Sequence, residues 1–219
     1  MIKVVLFDLD GTLLNRQASL TRFINDQYER FSKYFFHVSI DTYRTRFMEL
    51  DERGYVWKDQ VYKKLIEEFE IKGVKSEELL EDYILNFHHF CEPFPNLFSM
   101  LEKLKQKSYK LGLITNGKEQ FQMNNLKSLG LESYFSLILI SEKEGLSKPN
   151  PLLFHRALTF FEVLPEEAIY IGDHPENDYR GAQNIGLKVI WKKDTYWKDF
   201  QPEFLIDDIL EIPTIIEQF

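Results

Sequence analysis

The stretch Val4-Val5-Leu6-Phe7-Asp8-Leu9-Asp10-Gly11-Thr12-Leu13 constrains this chain more than any other. An apolar run of strand length ends on two carboxylates and then a glycine. Val4 to Phe7 is continuously apolar rather than alternating, as expected of a strand covered on both faces in the middle of a parallel sheet. Ligands of open α/β sheets bind just beyond the C-terminal ends of the strands, so such a strand delivers acid to a binding edge. Asp8 and Asp10 share a face if strand geometry persists. Two like charges about 4 Å apart repel by roughly 4 kcal/mol at an effective dielectric of 20. A cation or a shared proton is the reason to keep both.

The bulk numbers narrow the classes. A chain of 219 residues is long enough for one large domain or a domain with an insertion. Hydrophobic residues at 44% and charged ones at 28% are ordinary globular values, so neither disorder nor a membrane span is expected. The net charge of −8 argues against nucleic acid as the main partner. Cys91 is the only cysteine, which excludes an intrachain disulfide, and Met1 leads directly into a strand with no signal peptide. A cytoplasmic setting is the expectation. Nothing in the sequence sets the oligomeric state.

From residue 16 to residue 92 the pattern is helical, with stripes at Ile24, Tyr28, Phe31 and Phe35, at Tyr43, Phe47 and Leu50, and at Trp57, Val61, Leu65 and Phe69. A fourth stripe, Leu80, Ile84, Phe87 and Phe90, follows a helix start at Ser76 with Glu77 and Glu78. Four amphipathic helices predict a small bundle whose aromatic stripes are its core. Arg16, Arg53 and Lys58 lie near turns or ends, where a basic side chain can reach an anionic substrate, although solvated surface charge is the more ordinary reading. His88, His89 and Cys91 lack a second cluster at metal-ligand spacing and read as helix-end residues.

Pro93 and Pro95 stop the helical pattern, and helices then alternate with strands at 110–115, 136–141, 168–172, 188–191 and around 204–206. Pro151 is placed as the first residue of a helix, and a short helix is expected from Asp178 to Ile185. The fold class expected is therefore α/β: a doubly wound, Rossmann-like parallel sheet formed by residues 1–15 and 93–219, with an inserted α-helical bundle, residues 16–92.

Three further motifs fall just past strands. Thr115-Asn116-Gly117 offers a hydroxyl and backbone N–H groups, with a plain Asn-Gly turn as the simple alternative. Lys148 lies in Ser147-Lys148-Pro149-Asn150-Pro151, where prolines fix the loop. Gly172-Asp173-His174-Pro175-Glu176-Asn177-Asp178 carries two acids four residues apart, the second also a possible helix N-cap. Asp8, Asp10, Asp173 and Asp178 against one Lys148 make a collection that calls for a divalent ion, and all-oxygen ligands select a hard cation such as Mg²⁺.

Asp8-x-Asp10-Gly11-Thr12, Thr115, Lys148 and the Asp173…Asp178 loop, in this order, resemble the four motifs of the haloacid dehalogenase superfamily, and the helical insert falls where that superfamily carries its C1 cap. The resemblance spans the chain but rests on about a dozen residues. It implies Asp8 as nucleophile and metal ligand, Asp10 as general acid and base and as a backbone-carbonyl metal ligand, and Asp173 as a further ligand. It implies that Thr115, the Asn116 backbone and Lys148 hold the phosphate, and that Asp178 acts through a water or on Lys148. True 2-haloacid dehalogenases lack an acid at the position of Asp10, so its presence favours phosphoryl transfer. The expected function is a Mg²⁺-dependent phosphatase for a small phosphorylated metabolite, acting through an aspartyl-phosphate. A phosphomutase of the β-phosphoglucomutase kind shares every motif, and a non-catalytic binding protein on the same scaffold is the third reading.

Overall fold

The computed structural model describes residues 1–219, which divide into two compact units: Met1–Arg16 with Glu92–Phe219, and Gln17–Cys91. No helix is long and apolar enough to cross a membrane.

The discontinuous unit is built on a six-stranded, all-parallel sheet. Its strands are β1 (Val4–Phe7), β2 (Lys110–Thr115), β3 (Leu137–Ile140), β4 (Ala168–Gly172), β5 (Lys188–Lys192) and β6 (Leu205–Ile206), in spatial order β3-β2-β1-β4-β5-β6. The chain winds outward from β1 to β3 and returns to β4, which places the topological switch between β1 and β4. All four residues of β1 are fully buried, as its unbroken apolar run requires. Val4 and Leu6 join Ala168 and Tyr170 on one face of the sheet, packed on Phe154, Ala157, Leu158 and Phe161.

The contiguous unit holds four principal helices: α1 (Arg16–Arg30, which begins one residue before the unit), α2 (Ile40–Asp51), α3 (Lys58–Glu68) and α4 (Ser76–Asn86). Its core is aromatic, with Tyr43 stacked on Phe35 at 4.8 Å and Tyr62 edge-on to Phe47 at 5.4 Å. The helix α1 ends at Arg30, and Phe35 reaches the core from a separate turn of helix, Ser32–Phe35. The inward residues of α4 are Leu79 and Tyr83, with Phe87 following, whereas Ile84 is 40% exposed. The stripe read from sequence is thus rotated by one residue at its start. Leu79, Leu80, Tyr83, Ile84 and Leu85 are all apolar, so spacing alone does not choose the buried face. The start of α4 is fixed by Glu78, whose carboxylate accepts from the Lys75 backbone N–H at 2.8 Å.

In the sheet unit the remaining principal helices are α5 (Leu97–Gln106), α6 (Glu119–Ser128) and α7 (Pro151–Phe161). Asn150 caps α7 through Leu152 N–H, with Pro151 in the first turn. The segment after β4 differs from its expected form. A wide turn of helix spans Pro175–Arg180, and its cap is His174, whose Nδ1 accepts from Glu176 and Asn177 N–H at 3.0 and 3.1 Å. Asp178 is therefore not the N-cap; its carboxylate is used elsewhere.

Candidate active site

The acids and the lysine of the sequence motifs converge at the C-terminal edge of the sheet, astride the switch between β1 and β4. Asp8 extends β1 by one ladder bond, its N–H donating to Ile171 carbonyl at 2.9 Å. The chain then turns sharply, with Thr12, Leu13 and Leu14 N–H all directed to the Leu9 carbonyl. Strand alternation stops here, so Asp10 lies in the turn rather than on Asp8's strand face. The turn demands glycine at residue 11, where φ is +87° and an added Cβ would lie 2.2 Å from Asp173 Oδ2. Gly172 is required for the same reason, because a Cβ there would lie 2.4 Å from Asp178 Cγ.

At the centre is the Lys148 ammonium, 4% exposed. It donates to Asp8 Oδ1 at 2.5 Å, Asp178 Oδ1 at 2.7 Å and Tyr170 Oη at 3.0 Å, which uses all three of its hydrogens. Asp178 Oδ2 accepts from His174 N–H at 3.0 Å. Asp8, Asp173 and Asp178 are all buried, and one carboxylate oxygen of each lies within 4.8 Å of the others. Burial pushes the Asp8 carboxyl up to about 7; Lys148 pulls it down, and Asp178 and Asp10 push it up again. Burial lowers the Lys148 ammonium, but Asp178 and Asp8 outweigh it and hold the group well above its ordinary range. One cation is thus shared among more negative charge than it neutralises, a donor set suited to a hard divalent ion.

Asn116 does something the sequence reading did not assign to it. Its side chain brackets the Lys148 backbone, donating from Nδ2 to the Lys148 carbonyl at 3.0 Å and accepting the Lys148 N–H on Oδ1 at 2.8 Å. Thr115, fully buried at the end of β2, points its hydroxyl into a second polar group formed by Asp10 and Gln122. The Asp10 carboxylate supplies none of the three oxygens gathered within 4.8 Å, although its charge still pushes the Asp8 carboxyl up.

Residues 5–192 match the sequence model of the haloacid dehalogenase-like hydrolases. The chain belongs to that family. The glyceraldehyde 3-phosphate phosphatase of Pyrococcus furiosus is 29% identical to this hydrolase over 232 aligned positions, covering 99% of this chain and 94% of the relative. Among solved structures, a 2-haloacid dehalogenase from Pseudomonas syringae is 26% identical with a TM-score of 0.63, covering 100% of this chain and 99% of the other. The putative HAD-hydrolase YfnB from Bacillus subtilis, bound to magnesium, shares the fold at a TM-score of 0.78 and 23% identity, over 98% of both chains.

Two buried polar residues of the hydrolase escaped the sequence reading. Tyr170, inside β4, supplies the third oxygen around Lys148 and is also 3.2 Å from the Ile114 carbonyl and from Asp178 Oδ1. Gln122, on α6, contacts Asp10 and Thr115 together. In an apolar strand a tyrosine reads as packing, and a glutamine on a helix reads as surface; neither carries a signal of its own. Of the basic residues near turns, Arg16 and Arg53 are half-buried, whereas Lys58 is 1% exposed and ion-paired with the equally buried Asp51. Lys58 is therefore not a solvated surface charge. Its ammonium also stands 5.4 Å from the Tyr83 ring centroid, a contact that becomes favourable once the charge is desolvated.

Proposed function

We propose that this hydrolase is a Mg²⁺-dependent phosphatase that transfers the phosphoryl group of a small phosphomonoester to Asp8 and then to water. The observation that carries the reading is the buried gathering of Asp8, Asp173 and Asp178 at the switch point of the sheet, with the Lys148 ammonium paired to Asp8 and Asp178. Three buried carboxylates with hard oxygen donors and one lysine fit a Mg²⁺ ion held by Asp8, Asp173 and the Asp10 carbonyl. When bound, the ion neutralises phosphoryl oxygens and so lowers the repulsion between a phosphate dianion and a carboxylate nucleophile.

The protein's own groups divide the work. Lys148 holds Asp8 Oδ1, which leaves Oδ2, contacted only at 3.4 Å by the Thr12 hydroxyl, to attack phosphorus in line. The Thr115 hydroxyl and the Asn116 backbone bind phosphoryl oxygens, the Lys148 charge offsets theirs through space, and Asn116's side chain holds the lysine's backbone in place. As the Asp8 oxygen bonds to phosphorus, the ester P–O bond breaks and the leaving oxygen takes a proton from Asp10. Asp10 then removes a proton from the water that hydrolyses the aspartyl-phosphate, a role generally worth about 10²- to 10⁴-fold. Asp178 fixes Lys148. Asp10 also separates this reading from dehalogenation, in which a departing halide needs no proton. The relative acting on glyceraldehyde 3-phosphate favours a short, phosphorylated carbon chain as substrate.

The test is release of inorganic phosphate from p-nitrophenyl phosphate and glyceraldehyde 3-phosphate, with and without Mg²⁺. Activity should require the metal and vanish in Asp8→Asn. Turnover that survives Asp8→Asn refutes the nucleophile, and conversion of a sugar phosphate to its isomer without free phosphate refutes the phosphatase in favour of a mutase.

A further inference from the structure

Gln122 occupies the fourth position of α6 and is 2% exposed. Its Nε2 lies 2.7 Å from Asp10 Oδ2, 2.7 Å from Thr115 Oγ1 and 3.3 Å from the Asn116 carbonyl. A primary amide has two hydrogens, so the two short contacts take both. The orientation of the amide follows from its neighbours. Asp10 Oδ2 accepts whether the acid's proton is absent or carried on Oδ1, so the nitrogen faces Asp10, and the oxygen then accepts from Asn125 Nδ2 at 3.2 Å. A glutamine with no role beyond packing has no reason to sit at a buried helix position, where leucine or methionine fills the same volume without desolvating an amide.

We propose that Gln122 is a positioning residue of the reaction. Its amide ties the Asp10 carboxylate to the Thr115 hydroxyl, so that the proton donor and the phosphate-binding hydroxyl keep one fixed separation. The inference rests on the phosphatase reading. With Oδ2 held by an N–H, Asp10 presents Oδ1 to the leaving oxygen. With a lone pair of Thr115 Oγ1 taken by the same amide, the hydroxyl hydrogen, whose contact with the Asn116 carbonyl is long at 3.5 Å, can turn to a phosphoryl oxygen. The step served is proton delivery: the bond from Asp8 to phosphorus forms, the ester bond breaks, and its electron pair takes the Asp10 proton. An alkoxide needs that proton as it leaves, whereas p-nitrophenolate is stable without it.

The loss of Gln122 should therefore be selective. Gln122→Met keeps the length and removes both donors, and Gln122→Leu is a second apolar replacement. For each, kcat/KM is measured on one preparation with p-nitrophenyl phosphate and with glyceraldehyde 3-phosphate. The ratio of the two values does not depend on how much of the sample is folded. The expected result is a fall for the alkyl ester at least about 10-fold greater than for the aryl ester, carried mainly by kcat. Equal falls on both esters, or none on either, overturn the proposal while leaving the phosphatase reading intact. A wild-type protein that releases no phosphate from either ester overturns both.

Discussion

Replacing Lys148 with methionine removes a charge that three buried oxygens share while keeping most of the stem's volume. Asp8 and Asp178 then face each other with carboxylate oxygens within 4.8 Å, worth roughly 3.5 kcal/mol of repulsion at an effective dielectric of 20. Removing one partner of a buried pair generally costs about 3–5 kcal/mol, which agrees. The folded state has one escape, proton uptake. Protonating a carboxylate costs about 1.4 kcal/mol for each pH unit above its unfolded pKa of about 4, so near pH 5 the escape is cheap and near pH 8 it exceeds the repulsion. In the variant the Asp8 carboxyl, already raised by burial, also loses the ammonium that pulled it down. The stability that this carboxyl contributes is then present below about pH 4 and is lost as pH rises through its raised value. The expected destabilisation in EDTA, by urea unfolding, is about 4 kcal/mol at pH 8 and about 1–2 kcal/mol at pH 5. Adding Asp178→Asn should restore at least about 1 kcal/mol at pH 8, because one of the stranded charges is gone. A loss independent of pH, or below about 1 kcal/mol at pH 8, would falsify the account of this cluster.

Two more outcomes follow from the same geometry. Gly11→Ala forces a residue with a Cβ to φ +87° and drives that atom onto Asp173, so stability should fall by about 1–3 kcal/mol and calorimetry should show Mg²⁺ binding at least about 10-fold weaker. Unchanged Mg²⁺ affinity would remove Asp173 from the ligand set. In the wild-type protein without metal, Asp8, pushed up to about 7 from an ordinary 3.8, holds a proton that the unfolded chain has released, so its contribution to stability is lost as pH rises from about 4 to 7. Mg²⁺ needs the ionised carboxylate and should therefore raise the melting temperature more at pH 8 than at pH 5; a larger shift at pH 5 would contradict the assignment.

The sheet was legible because its strands are short apolar runs bounded by glycine, proline or polar turns, and parallel pairing leaves no polar face to confuse the pattern. The meeting of Asp8, Lys148, Asp173 and Asp178 was legible for a related reason: each lies just past a strand or in the connection that follows one, and parallel strands end at one edge. Other features depended on contacts that no local pattern encodes. The buried face of α4 was ambiguous because apolar residues surround that helix nearly all the way round. The cap of the segment after β4 passed to His174 because Asp178 was already bound to Lys148. Lys58 is buried because Asp51, seven positions earlier, meets it on the adjoining helix. Gln122 lies on a largely polar helix and Tyr170 in an apolar strand, and only the partners they meet across the fold separate them from surface or packing residues.

The pairing of β1 also has a consequence for biosynthesis. Its neighbours are β2, beginning at Lys110, and β4, beginning at Ala168, so Val4–Phe7 emerges from the ribosome more than a hundred residues before either edge can be covered. During that interval a fully apolar strand presents two open edges, the condition that recruits chaperones or seeds aggregation. Loss of soluble yield in truncated chains that stop short of β4 is the expected signature of that delay.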